Sequence, residues 1–359
     1  MAENKFKIML SGGGTGGSVT PILAIAQEFY HQYSNSTFVF VGTHSGPEKV
    51  LVEEVEDKLP IRFIPMLAGK WRRYFSFKNF LDFFNIGAAW FQALYIIKKE
   101  RPAAVISAGA FVSVPLVWAA KWLKVPVLIH QQDMRPGLAN RLMAPTAKII
   151  TVTFSNSLKV YGKKAVLTGN PYFLPALPSK KSVFKKYNLD ASRPLTLIFG
   201  GGTGSVAINK AIVSNLADLL KVTQIIHVSG QGKLLRESQP GYLALEFLSH
   251  SDLLAVMSAS DLVVSRPGLG TLTELSALKK VSILVPMPNT HQEDNAQACA
   301  TAGAAIYIEQ KDLNAKISRL ISNLLGSASR QAELKDKMAG IIKSGAAETI
   351  VGLIIKMIN

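Results

Sequence analysis

The sequence predicts an α/β protein made of two tandem Rossmann-like, doubly wound domains that face each other across a cleft. The main observation is a near repeat of one local pattern. The apolar stretches 5–11 and 195–199 have the length of strands, and they run into the glycine-rich turns 12–17 and 200–204. A strand, a glycine turn and a helix in succession open a doubly wound domain, so two copies predict two such domains.

The remaining apolar segments agree with this fold class. Helical periodicity follows each glycine turn, at 21–31 and at 206–220. Apolar runs of strand length recur with helical stretches between them, at 37–41, 61–65, 104–107, 127–130, 149–152, 224–228, 262–265, 282–285 and 305–308. Nearly continuous hydrophobic strands that alternate with helices indicate a parallel sheet covered on both faces.

A proline-rich segment separates the two halves. At 359 residues the chain is too long for one ordinary core. Residues 169–178 contain three prolines and are predicted to be the interdomain linker. We therefore predict an N-terminal domain at 1–168, a C-terminal domain at 179–340 and a terminal helix at 341–359 that packs back on the N-terminal domain.

Charge and cysteine usage restrict the classes of function. Lys and Arg outnumber Asp and Glu by 40 to 24, giving +16, which favours anionic lipid or phosphorylated substrates as partners. We expect no nucleic-acid partner, because the chain has no RNP-type motif, zinc finger or dominant basic cluster. The lone Cys299 excludes a disulfide framework, and no signal peptide is visible at the polar start.

The glycine turns predict anion sites, because exposed amides and a helix N-terminus attract negative charge. Gly12, Gly14 and Gly17 satisfy G-x-G-x-x-G, but the second strand of each half lacks the acidic residue that a dinucleotide enzyme uses for ribose. No Walker A sequence is present. The alternative, glycines that serve only close packing, is weaker for two turns that would face one cleft.

The second half carries the densest set of polar and glycine residues. Residues 265–274, SRPGLGTLTE, follow a strand and lead into a helix, so Thr271 and Thr273 could hold phosphate. Glu274 could accept both hydroxyls of a sugar diol. The alternative is a capping box formed by Thr271 and Glu274. Residues 285–296 form a polar loop suited to hydroxyl recognition, with a simple solvated loop as the alternative.

These motifs resemble those of the MurG-like glycosyltransferases, glycosyltransferase family 28 with the GT-B fold. In chain order they read GGTGGS (13–18), GAFVSVP (109–115), HQQD (130–133), GNP (169–171), GGTG (201–204), RPGLGTLTE (266–274) and QEDNA (292–296). Their order and spacing match that family over essentially the whole chain. The resemblance implies an acceptor- and membrane-facing N-terminal domain and a UDP-sugar-binding C-terminal domain.

The resemblance also implies a role for individual residues. Substrate-binding positions are Thr15, Gly16 and Gly17 by the acceptor pyrophosphate and donor sugar, Asn140 near the cleft, Gly202 and Thr203 in the second glycine turn, Leu248 at the uracil, Leu269, Gly270, Thr271, Leu272 and Thr273 at the donor phosphates, Glu274 at the ribose, and Gln292 and Asn295 at the sugar hydroxyls.

The chain departs from the family pattern where a base is expected. Ser18 replaces a histidine, and serine is too weakly basic to accept a proton at neutral pH, so it can at most orient the acceptor. We hypothesise that the base has moved to Asp133, which stands in place of an asparagine at a strand end. His130 and His291 follow as candidates, with a structural role for His130 as its alternative. Gln131, Phe173 and Gly202 also depart from the pattern and place some donor contacts in doubt.

A basic and aromatic segment predicts a membrane contact. Cations alternate with aromatic residues there, namely Lys70, Trp71, Arg72, Arg73, Phe75 and Lys78. Such a patch suits anionic lipid. The following run 80–97 is barely long enough to span a bilayer and contains Asp82, Asn85 and Gln92, so a buried core helix is the better interpretation.

The sequence and the resemblance together imply an inverting hexosyltransferase. It would move N-acetylglucosamine from UDP-N-acetylglucosamine to undecaprenyl-pyrophosphoryl-MurNAc-pentapeptide (lipid I), forming lipid II for peptidoglycan, on the cytoplasmic side of the cell membrane as a peripheral protein. We expect no cofactor and no protein-bound metal, since no D-x-D motif or ligand cluster is present. The alternatives are a UDP-sugar transferase acting on another lipid, such as diacylglycerol, and a catalytically weak nucleotide-sugar binder.

Overall fold

The computed structural model describes residues 5–13, 16–67 and 77–359, with only the backbone described at 16 and 77–86. The chain divides into two compact units. Unit 1 comprises Met1–Phe173 and Lys343–Asn359, and unit 2 comprises Leu174–Ile342. The division at Phe173 falls inside the proline-rich segment 169–178. Each unit is built around one parallel sheet, which confirms the predicted fold class.

Unit 1 contains a seven-stranded sheet in the order β3-β2-β1-β4-β5-β6-β7. Its strands are β1 Lys7–Ser11, β2 Thr37–Gly42, β3 Ile61–Pro65, β4 Ala104–Ser107, β5 Val127–Gln131, β6 Ile149–Val152 and β7 Ala165–Leu167. Its helices are α1 Thr20–Gln32, α2 Glu48–Glu53, α3 Phe77–Glu100, α4 Ser113–Trp122, α5 Leu138–Met143 and α6 Asn156–Tyr161.

Unit 2 contains a six-stranded sheet in the order β10-β9-β8-β11-β12-β13. Its strands are β8 Leu195–Phe199, β9 Gln224–Val228, β10 Tyr242–Leu245, β11 Leu262–Ser265, β12 Ser282–Leu284 and β13 Ile306–Tyr307. Its helices are α7 Lys180–Lys186, α8 Val206–Ser214, α9 Leu216–Val222, α10 His250–Ala259, α11 Leu269–Ala277, α12 His291–Thr301, α13 Leu313–Leu325 and α14 Ala328–Ala339. The last helix of the chain, α15 Ala346–Ile358, belongs to unit 1.

The central strands are apolar on both sides because each sheet is covered on both faces. In β1, Ile8 and Leu10 join one core cluster of unit 1, while Met9 joins the other. Strand β8 is buried along its whole length. In both sheets the strand order reverses beside the first strand. Strand β1 lies between β2 and β4, and strand β8 lies between β9 and β11. The chain therefore leaves the two neighbouring strands in opposite directions, which opens a crevice at their carboxyl ends.

Three local features differ from the sequence-based expectation. Strands β7 and β10 are edge strands of three and four residues that the sequence did not predict, and they are only partly buried. The helix expected at 206–220 is two helices, α8 and α9, that meet at Asn215. The Asn215 amide donates to the Ala211 carbonyl at 2.9 Å and to the Asn314 carbonyl at 3.0 Å, which favours a break over a continuous helix.

The helix α15 packs on α1, the helix that follows the first glycine turn. Its buried residues Ile350, Val351, Ile354 and Met357 share one core cluster with the strand β1. The Lys148 ammonium donates to the Met357 carbonyl at 3.0 Å and ties the end of the helix to the sheet. Within the described part of the chain, no helix is both long and apolar enough to cross a bilayer.

Candidate active site

The first glycine turn of unit 1 is closed by the side chain of Ser18. Its hydroxyl accepts from the Gly13 amide and donates to the Gly13 carbonyl, both at 3.0 Å. A Cβ atom on Gly12 would lie 2.7 Å from the Ser18 carbonyl oxygen, so only glycine fits there. Gly16 and Gly17 belong to the short 3₁₀ turn that leads to α1, whereas Thr15 lies outside the described residues. Ser18 therefore shapes the turn.

His130 is buried in the sheet of unit 1. Its Nε2 lies 3.2 Å from the Asn170 amide oxygen, and its Nδ1 lies 2.9 Å from the Thr151 hydroxyl. An amide oxygen can only accept, so Nε2 carries the proton and Nδ1 accepts from Thr151. Burial lowers the pKa of His130 to about 4. With its one lone pair occupied and no exposure to solvent, this imidazole fits the structural alternative rather than the role of a base.

The loop after β5 is held by the buried amide of Gln131. Its nitrogen donates to the Asp133 carbonyl at 2.6 Å, and its oxygen accepts from Asn140 at 2.8 Å and from the Tyr161 hydroxyl at 3.0 Å. Asn140 is buried, so its amide nitrogen braces this loop from within. The structure thus places Asn140 as a support for the segment that carries Asp133.

A hydrogen bond joins this loop to the first glycine turn. The Gln132 side-chain amide donates to the Gly17 carbonyl at 2.9 Å. Asp133, which is half-buried, is the next residue along the chain. Ser18 and Asp133 consequently lie on two loops that contact each other at the carboxyl end of the sheet of unit 1.

In unit 2, the motif that follows β11 starts a helix at a glycine. The N-cap of α11 is Gly268, whose carbonyl accepts from the Leu272 amide at 2.9 Å. The capping box proposed for Thr271 and Glu274 is therefore wrong, because Thr271 already lies inside the helix. The first turn of α11, which includes Leu269, Gly270 and Thr271, presents helix N-terminal amides of the kind that bind phosphate.

Two side chains of this motif point into the protein. Leu272 and Thr273 are buried, and the Thr273 hydroxyl donates to the Leu269 carbonyl at 2.8 Å. Any phosphate contact from these two positions has to come from the backbone. The Thr273 hydroxyl fixes the first turn of α11.

Glu274 lies on the second turn of α11 in a largely buried position. Its side chain is 16% exposed, and its carboxylate lies 3.8 Å from the Nδ1 atom of His250. Burial raises the pKa of Glu274 to about 7. His250 begins α10, two residues after Leu248, so the structure brings the proposed uracil and ribose positions to neighbouring helix starts.

Two side-chain amides after β12 brace loops. The Asn295 nitrogen donates to the Pro267 carbonyl at 3.1 Å, and Asn295 is buried. The Gln292 oxygen accepts from the Met287 amide at 3.0 Å. Asn295 thereby supports the turn before α11, and Gln292 closes the loop before α12. Gly202 and Thr203, in contrast, are exposed in the second glycine turn.

Arg266 is the site residue to which the sequence assigned no role. Its guanidinium is buried and donates to the Val285 carbonyl at 2.9 Å and to the Ser205 hydroxyl at 2.9 Å. It also donates to Gln310. One side chain thus joins the loops that follow β8, β12 and β13. One signal in the sequence could have identified this role: the arginine stands beside proline and glycine at the end of a buried strand.

The fold and site define a nucleotide-sugar transferase of the GT-B class, built from two parallel-sheet units. The chain belongs to glycosyltransferase family 28. Residues 8–152 match the family's N-terminal domain, and residues 195–351 match its C-terminal domain. This finding confirms the resemblance drawn from the motifs, and the chain is a hexosyltransferase.

Individual relatives support the same class over nearly the full length. A protein of Clostridium kluyveri is 35% identical over 358 residues, covering 98% of this chain and 99% of the relative. One of Clostridium novyi is 36% identical over 367 residues, with 99% of each chain covered. Both are named UDP-N-acetylglucosamine–N-acetylmuramyl-(pentapeptide) pyrophosphoryl-undecaprenol N-acetylglucosamine transferase.

Solved structures agree with the fold. The MurG of Acinetobacter baumannii superposes with a TM-score of 0.76 at 26% identity, covering 98% of this chain and all of that one. The calicheamicin glycosyltransferase CalG4 reaches a TM-score of 0.71 at 12% identity, with 99% of this chain and 98% of that chain covered, which shows the fold alone.

The raised pKa of Glu274 predicts that UDP binding depends on pH. If the ribose hydroxyls donate to Glu274, they require its ionised form, so UDP binding below pH 7 must release a proton from this carboxyl group. UDP affinity measured by calorimetry should fall about tenfold between pH 8 and pH 6. Glu274→Gln removes the titrating carboxyl group, so its pH profile reports only the titration of UDP. Its UDP affinity should change much less over the same pH range. Equal pH profiles for both proteins would contradict the placement of the ribose.

Proposed function

We propose that this chain transfers N-acetylglucosamine from UDP-N-acetylglucosamine to the muramyl C4 hydroxyl of undecaprenyl-pyrophosphoryl-MurNAc-pentapeptide, with inversion at the sugar carbon. The start of α11 is the observation that carries the proposal. There, one short helix offers free amides for a diphosphate and, a turn later, the carboxylate of Glu274 for a ribose. The full-length similarity to transferases named for this reaction supports the choice of sugar and acceptor.

The reaction that we propose is a single displacement. The acceptor hydroxyl oxygen bonds to C1 of the sugar while the bond from C1 to the UDP oxygen breaks, and the hydroxyl proton passes to a base. The negative charge that develops on UDP would be stabilised by amides at the start of α11. Gly270 and Thr271, at this start, are at least partly exposed, as a ligand contact requires.

Asp133 is our candidate for the base. Ser18 uses its hydroxyl to close the glycine turn, and the lone pair of His130 is occupied by Thr151. Asp133 is a half-buried carboxylate on the loop that contacts this turn through Gln132. His291 stands at the first position of α12, in unit 2.

A transfer assay tests both the reaction and the base. Wild-type protein should transfer labelled sugar from UDP-N-acetylglucosamine to lipid I and not to diacylglycerol. In single-turnover assays with saturating donor, Asp133→Asn should lose about 10²-fold or more, the usual contribution of a general base. Ser18→Ala should keep most of the activity.

The opposite ranking of the two variants would refute Asp133 as the base. Transfer to diacylglycerol and not to lipid I would show that lipid I is not the acceptor. UDP-sugar binding without transfer to any lipid would indicate a nucleotide-sugar binder rather than an enzyme of this pathway.

We further propose that unit 1 binds the cytoplasmic face of the membrane as a peripheral protein. Among the described side chains of α3 and α4, three large aromatic ones are exposed: Phe91 at 68%, Tyr95 at 64% and Trp122 at 72%. Trp90 packs against both Phe91 and Trp122, and the Lys99 ammonium lies over the Tyr95 ring. Aromatic rings with nearby cations suit the headgroup region of anionic lipid.

The basic segment predicted from the sequence adjoins this surface in the chain. Its members Lys70, Trp71, Arg72, Arg73 and Phe75 lie outside the described residues, and Lys78 lies in α3 with only its backbone described. The membrane proposal therefore rests on the aromatic surface of α3 and α4.

Replacing the exposed aromatics should release the protein from vesicles. Phe91→Ser with Trp122→Ser should weaken binding to phosphatidylglycerol vesicles at least about tenfold in a sedimentation assay, because buried aromatic area is lost. Val160→Ser, which changes an exposed apolar residue elsewhere on unit 1, is the control and should bind as wild type. Equal loss in the control, or wild-type protein that resists a carbonate wash, would contradict peripheral binding through this surface.

A further inference from the structure

The loop that follows β9 lies directly on the second glycine turn. A Cβ atom on Gly230 would lie 2.6 Å from the Thr203 carbonyl oxygen, and one on Gly204 would collide with the Ser229 carbonyl. Both glycines have positive φ, at +93° and +71°. The two backbones therefore touch, and side chains from the loop after β9 reach the exposed residues of the glycine turn.

Lys233 is the side chain that makes this contact. Its ammonium donates to the Thr203 carbonyl at 2.6 Å, and its backbone amide donates to the Gly230 carbonyl at 3.1 Å. Lys233 forms no ion pair with any described carboxylate. The carboxylate of Glu246, which follows β10, accepts from the Gly232 backbone amide and not from Lys233. Two N–H donors and the full charge of Lys233 thus remain at the glycine turn.

A buried polar network fixes the position of this lysine. The Asn209 amide donates to the Ser229 carbonyl at 3.0 Å and to the Lys233 carbonyl at 3.1 Å. Its oxygen accepts from Nε2 of His227 at 3.0 Å, and Nδ1 of His227 accepts from the Tyr242 hydroxyl at 2.9 Å. Since Asn209, His227 and Tyr242 are all buried, they hold the loop in one place.

A second cation approaches the same turn from the other side. Arg266 donates to the hydroxyl of Ser205, which caps α8. This guanidinium is buried, its Nε has no partner, and it forms no ion pair among the described residues. Uncompensated positive charge is costly in a protein interior. A buried guanidinium and a partly exposed ammonium, neither paired with a described carboxylate, lie beside one glycine turn and a helix N-terminus and point to an anion that neutralises them.

We propose that Lys233 binds the diphosphate of the nucleotide-sugar donor at the second glycine turn. The inference rests on the proposed function, because it takes the donor to be a uridine diphosphate sugar. Lys233 would direct its free N–H groups to a phosphate oxygen while its third N–H keeps the turn in shape through Thr203. Its charge would also stabilise UDP as the leaving group.

Comparing UDP with uridine tests this role in the full-length protein. Calorimetry should show that Lys233→Met weakens UDP binding about tenfold or more and changes uridine binding less than about twofold. Lys233→Arg, which keeps the charge, should recover most of the UDP affinity. Lys210→Met, which removes an exposed lysine on α8, is the matched control and should leave both affinities unchanged.

The outcomes separate this inference from the proposed function. If wild-type protein binds UDP but Lys233→Met binds it equally well, or loses UDP and uridine affinity by the same factor, Lys233 is a structural residue and the inference is wrong. If wild-type protein binds neither ligand, the proposed function fails and the inference fails with it.

Discussion

The loops at the carboxyl edge of the sheet of unit 2 depend on the buried guanidinium of Arg266. In a parallel sheet, the loops at the carboxyl edge each connect a different strand to a different helix. A ligand site formed by these loops requires them to keep a fixed spacing. Arg266 provides it by donating to groups in the loops after β8, β12 and β13 at once. The planar guanidinium suits this task because it carries several N–H donors in fixed directions. Asn295 completes the arrangement by holding the Pro267 carbonyl.

Each of the two units contains a buried neutral histidine near the carboxyl end of a strand. His130 in unit 1 and His227 in unit 2 each lie beside an asparagine oxygen, and burial lowers the pKa of both to about 4. Neither imidazole is available for proton transfer. His227 supports the loop that carries Lys233 through Asn209, whereas His130 joins β5 to β6 and to the segment after β7 through Thr151 and Asn170.

The sequence was sufficient for the fold because its signals were local and strong. Fully buried central strands such as β8 produce uninterrupted apolar runs, and glycine turns mark where each domain begins. The elements that the sequence did not predict lack such strong local signals. Strand β7 has only three residues, all partly exposed, and the break between α8 and α9 depends on a hydrogen bond from Asn215 to the distant Asn314.

The site was predicted less completely, since residue type does not reveal where a side chain points. Asn140 and Asn295 remain predicted substrate contacts, and the structure adds that their side-chain nitrogens hold neighbouring loops. Glu274 kept its predicted position at the start of α11, but its raised pKa arises from burial that no motif encodes. Arg266 and Lys233 gain their significance only from contacts between loops far apart in sequence.

Hydrogen exchange of Arg266→Lys, compared with wild type, tests whether the Arg266 guanidinium holds the three loops in place. Lysine keeps the charge but cannot reach the same set of acceptors. Amides in 200–205, 285–289 and 309–312 should all exchange faster in the variant, while the loop after β4 in unit 1 should not change. Faster exchange confined to 265–268 would show that the loops hold their positions without Arg266 and would contradict the account.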